Sequence, residues 1–462
     1  DDLEEQLWSR IASDTDRGGW SLFRDQVERW STRKNQPHPD GRIRYIHLRQ
    51  AFAAERPRPI PQDFLVPAGY QPPDEAFDKK FRAEAFGADG LEVLWGPPGR
   101  GKSTYLSHCV AKASRRKTVC IRHHYFLSLD DRSEGRFHFH AISQSLQHQL
   151  RDAIPGFPTD SGELGDRLAL AADMLAQENR RLVVVVDGLD HVWREHRDRH
   201  DMEELFAVLL PLPPNVSLVV GTQRIDPREL PTQLLKVTPV EDWRELPLMS
   251  PDAVRDWLTN QDEAGRLNLS GFNGDHRARM FREVAVALHE VSQGLPLHLI
   301  YSFESLLRTG DPIDAGDVRA LPACPSGDIR DYYRAFWERG SAKTRAILHV
   351  LAGLAFGPPP SALHDCFGRS DEAMAAFAEV SHLLELRETG VRPFHGSLFA
   401  FARDLPDHDH LFRTHAPDVL TWLRGPNAGY WQWAWRWITE RQLGDAKSLI
   451  EKTTRSWAIE GL

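Results

Sequence analysis

The chain has 462 residues, with 57 Lys or Arg against 66 Asp or Glu and a formal charge of −9 at neutral pH. That length accommodates about three domains, and the acidic balance excludes a global basic field drawing the protein to nucleic acid or an anionic membrane, while leaving room for a local basic face. Cys109, Cys120, Cys324 and Cys366 form no C-x-x-C pair, which argues against a zinc site or disulfide framework and suits buried thiols in a reducing compartment; no apolar run nears the roughly 18 residues of a membrane span, and the acidic first residues are not a signal peptide, so the expected location is the cytoplasm.

Residues 1–55 carry scattered Trp and many charges, with helix-like spacing at Leu22, Phe23, Val27 and Trp30. From Arg56 to Asp74, Pro57, Pro59, Pro61, Pro67, Pro72 and Pro73 predict an extended linker and a domain boundary near residue 75. The apolar run Leu91 to Trp95 predicts a strand leading into Gly96, Pro97, Pro98, Gly99, Arg100, Gly101, Lys102, Ser103 and Thr104. The first eight of these satisfy G-x-x-x-x-G-K-S, the pattern of a loop whose backbone N–H groups wrap a polyphosphate. Gly96, Gly99 and Gly101 give clearance, Lys102 reaches the β and γ phosphates as a point charge, and the Ser103 hydroxyl is placed to ligate Mg²⁺. Tyr105, Leu106, Cys109 and Val110 recur at helical spacing, so the loop opens a helix whose positive dipole end faces the phosphates. The expected ligand is ATP or ADP with Mg²⁺.

Three more apolar runs, Thr118 to Leu127, Leu182 to Val186 and Val216 to Val220, alternate with helical patterns and predict a parallel sheet covered by helices on both faces. Ile142, Leu146, Leu150 and Ile154 form one helical stripe, and Leu168, Met174 and Leu175 lie on another; both are expected core faces. Asp187 ends the apolar run from Leu182 and is the carboxylate expected to hold Mg²⁺ through water, with Asp190 placed to orient a hydrolytic water or sense the γ-phosphate. Thr222, Gln223 and Arg224 follow the next strand. Arg224 there either contacts the terminal phosphate or is a solvated strand-end arginine. His123-His124 and His138-x-His140 do not read as a metal site, since alternate strand residues face opposite ways and no third ligand has set spacing.

Ser250 followed by Pro251 predicts a helix start, and from there to about residue 310 the pattern is helical without strands. Helical stretches at Tyr332 to Trp337 and Thr344 to Leu354 precede Leu383 to Leu386, then Glu388, Gly390 and Val391 to His395; helices followed by a small hairpin look like a winged-helix domain. Tyr430, Trp431, Trp433, Trp435 and Trp437 crowd one helix, a density that marks helix packing rather than base stacking. This reads as the start of a helical arm or repeat array that serves as a sensor for a partner. A first residue other than Met and an end at Leu462 directly after a helical pattern suggest a piece of something longer.

The phosphate loop, the strand ending Asp187-Gly188-Leu189-Asp190-His191, the strand followed by Thr222-Gln223-Arg224, and Gly294-Leu295-Pro296-Leu297 together resemble the STAND nucleotidases, the signal-transduction ATPases that include NACHT and NB-ARC proteins. The match covers roughly residues 75–410. The resemblance implies that Pro296 packs near the adenine and that His395, near the hairpin's end, touches the ADP β-phosphate; from its residues alone His395 is equally a satisfied core histidine. Two departures stand out: the Gly-Arg-x-x-Glu element of NB-ARC proteins is not evident near residues 78–90, and the histidine lacks the Met-His-Asp context.

The fold expected is multidomain α/β plus α. It comprises a mostly helical region and Pro-rich linker (1–74), a P-loop NTPase domain with a parallel sheet (75–245), a helical domain (246–320), a winged-helix domain (321–412) and the start of a helical, TPR-like array (413–462). The resemblance implies a slow ATPase used as a switch. ADP holds the domains closed and exchange for ATP opens them to form a homo-oligomer, so contacts to the γ-phosphate from Lys102, Arg224 and the Mg²⁺ held by Ser103 and Asp187 must differ between the two states. A bacterial source would imply antiphage defence, with a phage-derived protein trigger and an effector domain or protein as partners, although no nuclease, protease or NADase motif stands in residues 1–90. Two rivals remain at this point. One is a DNA-binding winged-helix ATPase of the initiator or transcription-regulator kind, disfavoured by Asp371, Glu372 and Glu379 in the would-be recognition region; the other is a small-molecule kinase.

Overall fold

Strands that are apolar on both faces are stable where helices cover both sides of a parallel sheet. In the computed structural model, Gly90–Trp95 (β1), Thr118–His124 (β2), Arg181–Asp187 (β3), Val216–Thr222 (β4) and Arg244–Glu245 (β5) form such a sheet, in the order β2-β3-β4-β1-β5 with every pairing parallel. The structure describes residues 60–452, apart from 61, 63, 114–116, 128–133, 159–161, 196, 270–272, 309, 325 and 388–389. The stripe expected at Leu22 to Trp30, the prolines Pro57, Pro59 and Pro61, and Glu388 lie outside these residues. The described residues divide into two compact units, 60–339 and 340–452.

In the first unit, alternate residues of β3 feed two cores. Val184 and Val186 pack with Ile142, Leu146 and Leu150 of Phe139–Ala153 (α3), Leu168 and Leu175 of Leu164–Gln177 (α4) and Leu205 of His200–Leu209 (α6). Val183 and Val185 pack on the other face with Phe81 of Glu75–Ala85 (α1) and Tyr105, Leu106 and Cys109 of Lys102–Lys112 (α2). Both expected stripes are therefore core faces, with Met174 packed at the edge. Strand β2 stops at His124, short of the expected Leu127. Its partner β3 ends at Asp187, in register with His124, and the Tyr125 N–H closes the pair by donating to the Asp187 carbonyl at 2.9 Å. The short Asp190–Arg194 (α5) and Thr232–Val237 (α7) complete this part.

Past β5 the first unit is helical: Pro251–Glu263 (α8), Gly274–Ser292 (α9), Pro296–Leu307 (α10), Ala315–Arg319 (α11) and Ile329–Arg339 (α12). Ser250 caps α8 as expected, its side chain accepting from the Ala253 N–H at 3.1 Å. Val254, Leu258, Val284, Leu288, Leu299 and Phe303 form the core of this bundle. Between α9 and α10 the chain turns at Gly294, whose φ of +73° lies in the left-handed region. A Cβ there would sit 2.2 Å from the Met249 carbonyl oxygen, and the same turn is tied by the Met249 N–H to the Gly294 carbonyl at 2.8 Å.

The second unit has Ala342–Gly353 (α13), Leu363–Phe367 (α14) and Asp371–Val380 (α15), then a two-stranded antiparallel hairpin of Leu384–Arg387 (β6) and Gly390–Pro393 (β7). Ser397–Arg403 (α16), His408–Arg424 (α17), Tyr430–Gln442 (α18) and Ala446–Lys452 (α19) follow. The expected aromatic helix is α18. Phe356 stacks on Trp435 at 5.4 Å and lies 5.8 Å from Trp431, and Trp431, Trp433, Trp435 and Trp437 are half-buried, so the indoles pack beside other elements. Among the described residues no helix is long and apolar enough to cross a membrane.

Gly294→Ala is expected to destabilise the first unit by about 1–3 kcal/mol, from the left-handed φ and the clash with Met249. A lowered thermal unfolding midpoint checks this; an unchanged midpoint would mean the turn relaxes.

Candidate functional site

The carboxyl ends of β1, β3 and β4 bring the expected chemical residues together. Beyond Trp95 the chain bends through Gly96 into a loop held by two left-handed glycines, Gly99 (φ +77°) and Gly101 (φ +86°), and Gly101 opens α2. The Lys102 ammonium folds back under the loop, donating to the Gly96 carbonyl at 2.7 Å and the Pro97 carbonyl at 3.2 Å. Pro97 and Pro98 are half-buried on the loop, and Ser103 and Thr104 are half-buried on the first turn of α2, where backbone N–H groups have no helical partner. Arg100 turns toward β5. Its buried guanidinium donates to the Leu246 carbonyl at 3.1 Å and pairs with Glu245 at 3.4 Å, tying the loop to β5.

Asp187 ends β3 in full burial, directly beside Gly221 of β4. A Cβ at Gly221 would lie 2.1 Å from Asp187 Oδ1, so the carboxylate occupies space that a side chain would fill. Burial pushes the Asp187 carboxyl up. Hydrogen bonds from His124 and Ser103 and the charge of Lys102 outweigh it and hold the group below the usual carboxylate range. The His124 contact is 3.2 Å from Nδ1 to Oδ2, while Oδ1 is buried with no hydrogen-bond partner among the described residues. An orphaned carboxylate oxygen beside the Ser103 hydroxyl is the donor set that a magnesium ion and its waters would use.

Asp190 begins α5. Its Oδ1 accepts from the Gln223 N–H at 3.2 Å and its Oδ2 pairs with Arg194 Nε at 3.3 Å, while Arg194 Nη2 donates to Gln223 Oε1 at 2.7 Å. Carboxylate, guanidinium and the strand-end amide thus form one closed network. Arg224 is exposed and lies over the Trp95 ring at 3.8 Å, a cation–π contact at the mouth of the loop.

Pro296 is the first residue of α10, and its Cγ is 4.0 Å from where a Cβ on Gly101 would stand. The Leu297 N–H donates to the Gly99 carbonyl at 3.3 Å, and a Cβ on Gly99 would sit 2.9 Å from Leu297 Cδ2. The Leu-Pro-Leu segment therefore rests on the phosphate loop itself. His395 lies in the second unit, after β7, with Nδ1 2.7 Å from the Ser397 hydroxyl.

Sequence reasoning missed His124 and Arg194. Arg194 carries a local signal, being four residues beyond Asp190 on one helix; the pairing of His124 with Asp187 comes from strand register. Of the other histidines set aside as metal ligands, His123 is buried between Gln62 and the Arg136 carbonyl and pushed down to about 3 by burial, His138 lies 3.4 Å from Asp201, and His140 lies 2.9 Å from Gln144.

Residues 91–287 match the family model described as NACHT domain. The curated proteins contain no match. Among solved structures, the chain is similar to a signal transduction ATPase with numerous domains (STAND) protein with a tetratricopeptide repeat sensor from Pyrococcus horikoshii, at 12% identity and TM-score 0.39, covering 83% of this chain and 50% of that one. It thus spans about half the length of that protein. It is also similar to a Walker-type ATPase of Pyrococcus abyssi (14% identity, TM-score 0.36, 72% of this chain and 96% of that chain). A third is the ORC2 protein of Aeropyrum pernix in its ADPNP–ADP complexes (14% identity, TM-score 0.37, 78% and 98%).

Burial pushes the Lys102 ammonium down to about 8, with Asp190 and Asp187 opposing the drop. A polyphosphate against Nζ favours the ammonium, so binding takes up a proton wherever the free site has lost one. ATP affinity is therefore expected to be level near neutral pH and to fall by up to roughly tenfold per pH unit above about pH 8. Titration calorimetry across that range checks this, with Lys102→Ala expected to remove both the binding and its pH dependence. A level profile to high pH would place the ammonium away from the phosphates.

Proposed function

The chain carries a NACHT domain at residues 91–287, the P-loop core of a STAND nucleotidase, and on that premise we propose that it is an ATP-driven switch whose hydrolysis is slow. The observation that carries this reading is the seat of α10 on the phosphate loop: the Leu297 N–H donates to the Gly99 carbonyl, and Pro296 and Leu297 cover Gly99 and Gly101. A loop that rearranges around a polyphosphate moves the surface on which the helical bundle rests. Nucleotide state and bundle position are then one equilibrium. A ligand shifts such an equilibrium by its differential affinity alone, and a near-complete shift takes about 5.5 kcal/mol between states.

In this reading Lys102 holds the β and γ phosphates, and Ser103 and Asp187 hold Mg²⁺, directly and through water. The ion, when bound, neutralises charge on the phosphates. Asp190 orients the attacking water, and the γ-phosphate competes with it for the Arg194 guanidinium. Arg224 swings from Trp95 to the terminal phosphate. Pro296 lies by the adenine, and His395 contacts the ADP β-phosphate. The output is oligomerisation on a protein trigger, in bacterial antiphage immunity if the source is bacterial. Residues 321–412 supply a winged helix and residues from 413 onward the start of the sensor arm. The acidic α15 disfavours duplex DNA as the partner.

Light scattering with ADP, and then with Mg²⁺ and a non-hydrolysable ATP analogue, with and without lysate from infected cells, tests the switch. A defined oligomer is expected with the analogue and trigger, and not with Lys102→Ala. A monomer throughout, with salt-dependent duplex binding, would favour the DNA-binding reading instead. His395→Ala is expected to speed ADP release, measured by displacement of a fluorescent ADP; an unaltered rate would remove His395 from the site.

A further inference from the structure

Among the described residues strand β2 lies at the edge of the sheet, and no described strand pairs with the backbone groups on its outer side. Side chains fill that role. The Gln149 amide accepts from the Arg122 N–H and donates to the Arg122 carbonyl, both at 2.8 Å. Two residues on, Gln62 Oε1 accepts from the His124 N–H at 2.9 Å, and Arg136 Nη1 donates to the His124 carbonyl at 2.9 Å. Arg136 also donates to Gln62 Oε1 at 3.3 Å, and Gln62 Nε2 lies 3.2 Å from His123 Nδ1 and 3.4 Å from Ser145 Oγ. The backbone of His124 is thereby clamped from outside while its ring reaches inward to Asp187.

We propose that His124 is a positioning residue for the magnesium carboxylate and that Gln62, on the segment entering the NTPase domain, holds it in place. Asp187 accepts only, so the proton of the shared contact sits on His124 Nδ1. That donor engages Oδ2 and leaves Oδ1, beside Gly221, without a hydrogen-bond partner among the described residues and available to a metal. Without it the Ser103 hydroxyl is the remaining side-chain donor to the buried carboxylate. Gln62 is the buried side chain among the described residues of 60–70, whose other members are half-buried or exposed, Leu65 at 85%. The link between the N-terminal region and the domain thus contributes one residue to the support of the metal site. Because coupling is reciprocal, whatever displaces Gln62 also alters metal affinity.

The inference rests on Asp187 serving Mg²⁺, and the experiment separates the two. In the full chain, binding of a fluorescent ATP analogue is titrated with Mg²⁺ and repeated in EDTA, for wild type, His124→Phe, His124→Asn, Gln62→Ala and Asp187→Ala. Loss of a group that orients a metal ligand typically costs about tenfold to a hundredfold in metal affinity, so His124→Phe is expected to raise the Mg²⁺ midpoint by that factor. Binding in EDTA should be unchanged. His124→Asn, which keeps a donor near the position of Nδ1, restores the midpoint, and Gln62→Ala shifts it the same way by a smaller factor. If Asp187→Ala shifts the midpoint while His124→Phe and Gln62→Ala do not, the positioning role is overturned and the metal site stands. If Asp187→Ala itself has no effect, both fall. Equal losses with and without Mg²⁺ in His124→Phe, unrescued by Asn, would mean a structural role only and would also overturn the proposal.

Discussion

A single carboxylate buried at the end of the central sheet sets the terms for everything around it. Asp187 is almost wholly withdrawn from water, and an isolated charge in such a place would cost many kcal/mol or be neutralised by a proton. Its neighbours answer that cost one at a time. His124 donates from the edge strand, Ser103 from the first turn of α2, and Lys102 supplies charge from beneath the loop. Gly221 supplies the missing volume. They come from three elements, β2, α2 and β4, so the sheet must be assembled before the carboxylate is tolerable. Assembly and site construction are the same event.

A second dependence runs from the loop to the helical bundle. The glycines that free the loop backbone for a polyphosphate also leave room for Pro296 and Leu297 to settle on it. Gly99 illustrates the double duty, having a left-handed φ, no space for a Cβ and a carbonyl that accepts from the Leu297 N–H. Gly294 then sets the angle at which α10 arrives. Two glycines almost two hundred residues apart therefore govern one contact. That contact is where the helical bundle meets the phosphate loop.

The two carboxylates of the site are held in contrasting ways. Each keeps one buried oxygen without a hydrogen-bond partner among the described residues, but that oxygen of Asp190 lies in an ion pair with Arg194 at 3.3 Å, whereas that of Asp187 lies beside Gly221. A carboxylate already neutralised by a guanidinium is a poor base until something draws the cation away, and a terminal phosphate has the charge to do so.

Local pattern was sufficient for much of this protein. The phosphate loop, the apolar strand ending at Asp187, the helical stripes of α3 and α4, the Ser250 cap and the aromatic helix near the carboxyl end are all set by neighbours a few residues away, where periodicity and capping chemistry operate. What only the folded chain decided depends on register and on distant approach. The strand beginning at Thr118 ends at His124 because its partner ends at Asp187, a limit that lies sixty residues downstream. The same register brings a histidine to the carboxylate. Arg100, a loop residue by motif, is spent on tying the loop to β5. Arg224, read as facing a phosphate or solvent, rests on Trp95. These outcomes turn on which side-chain atoms meet across strands and between layers. Sequence spacing carries no record of such meetings, because hydrogen bonds and packing act on distance in space and are indifferent to separation along the chain.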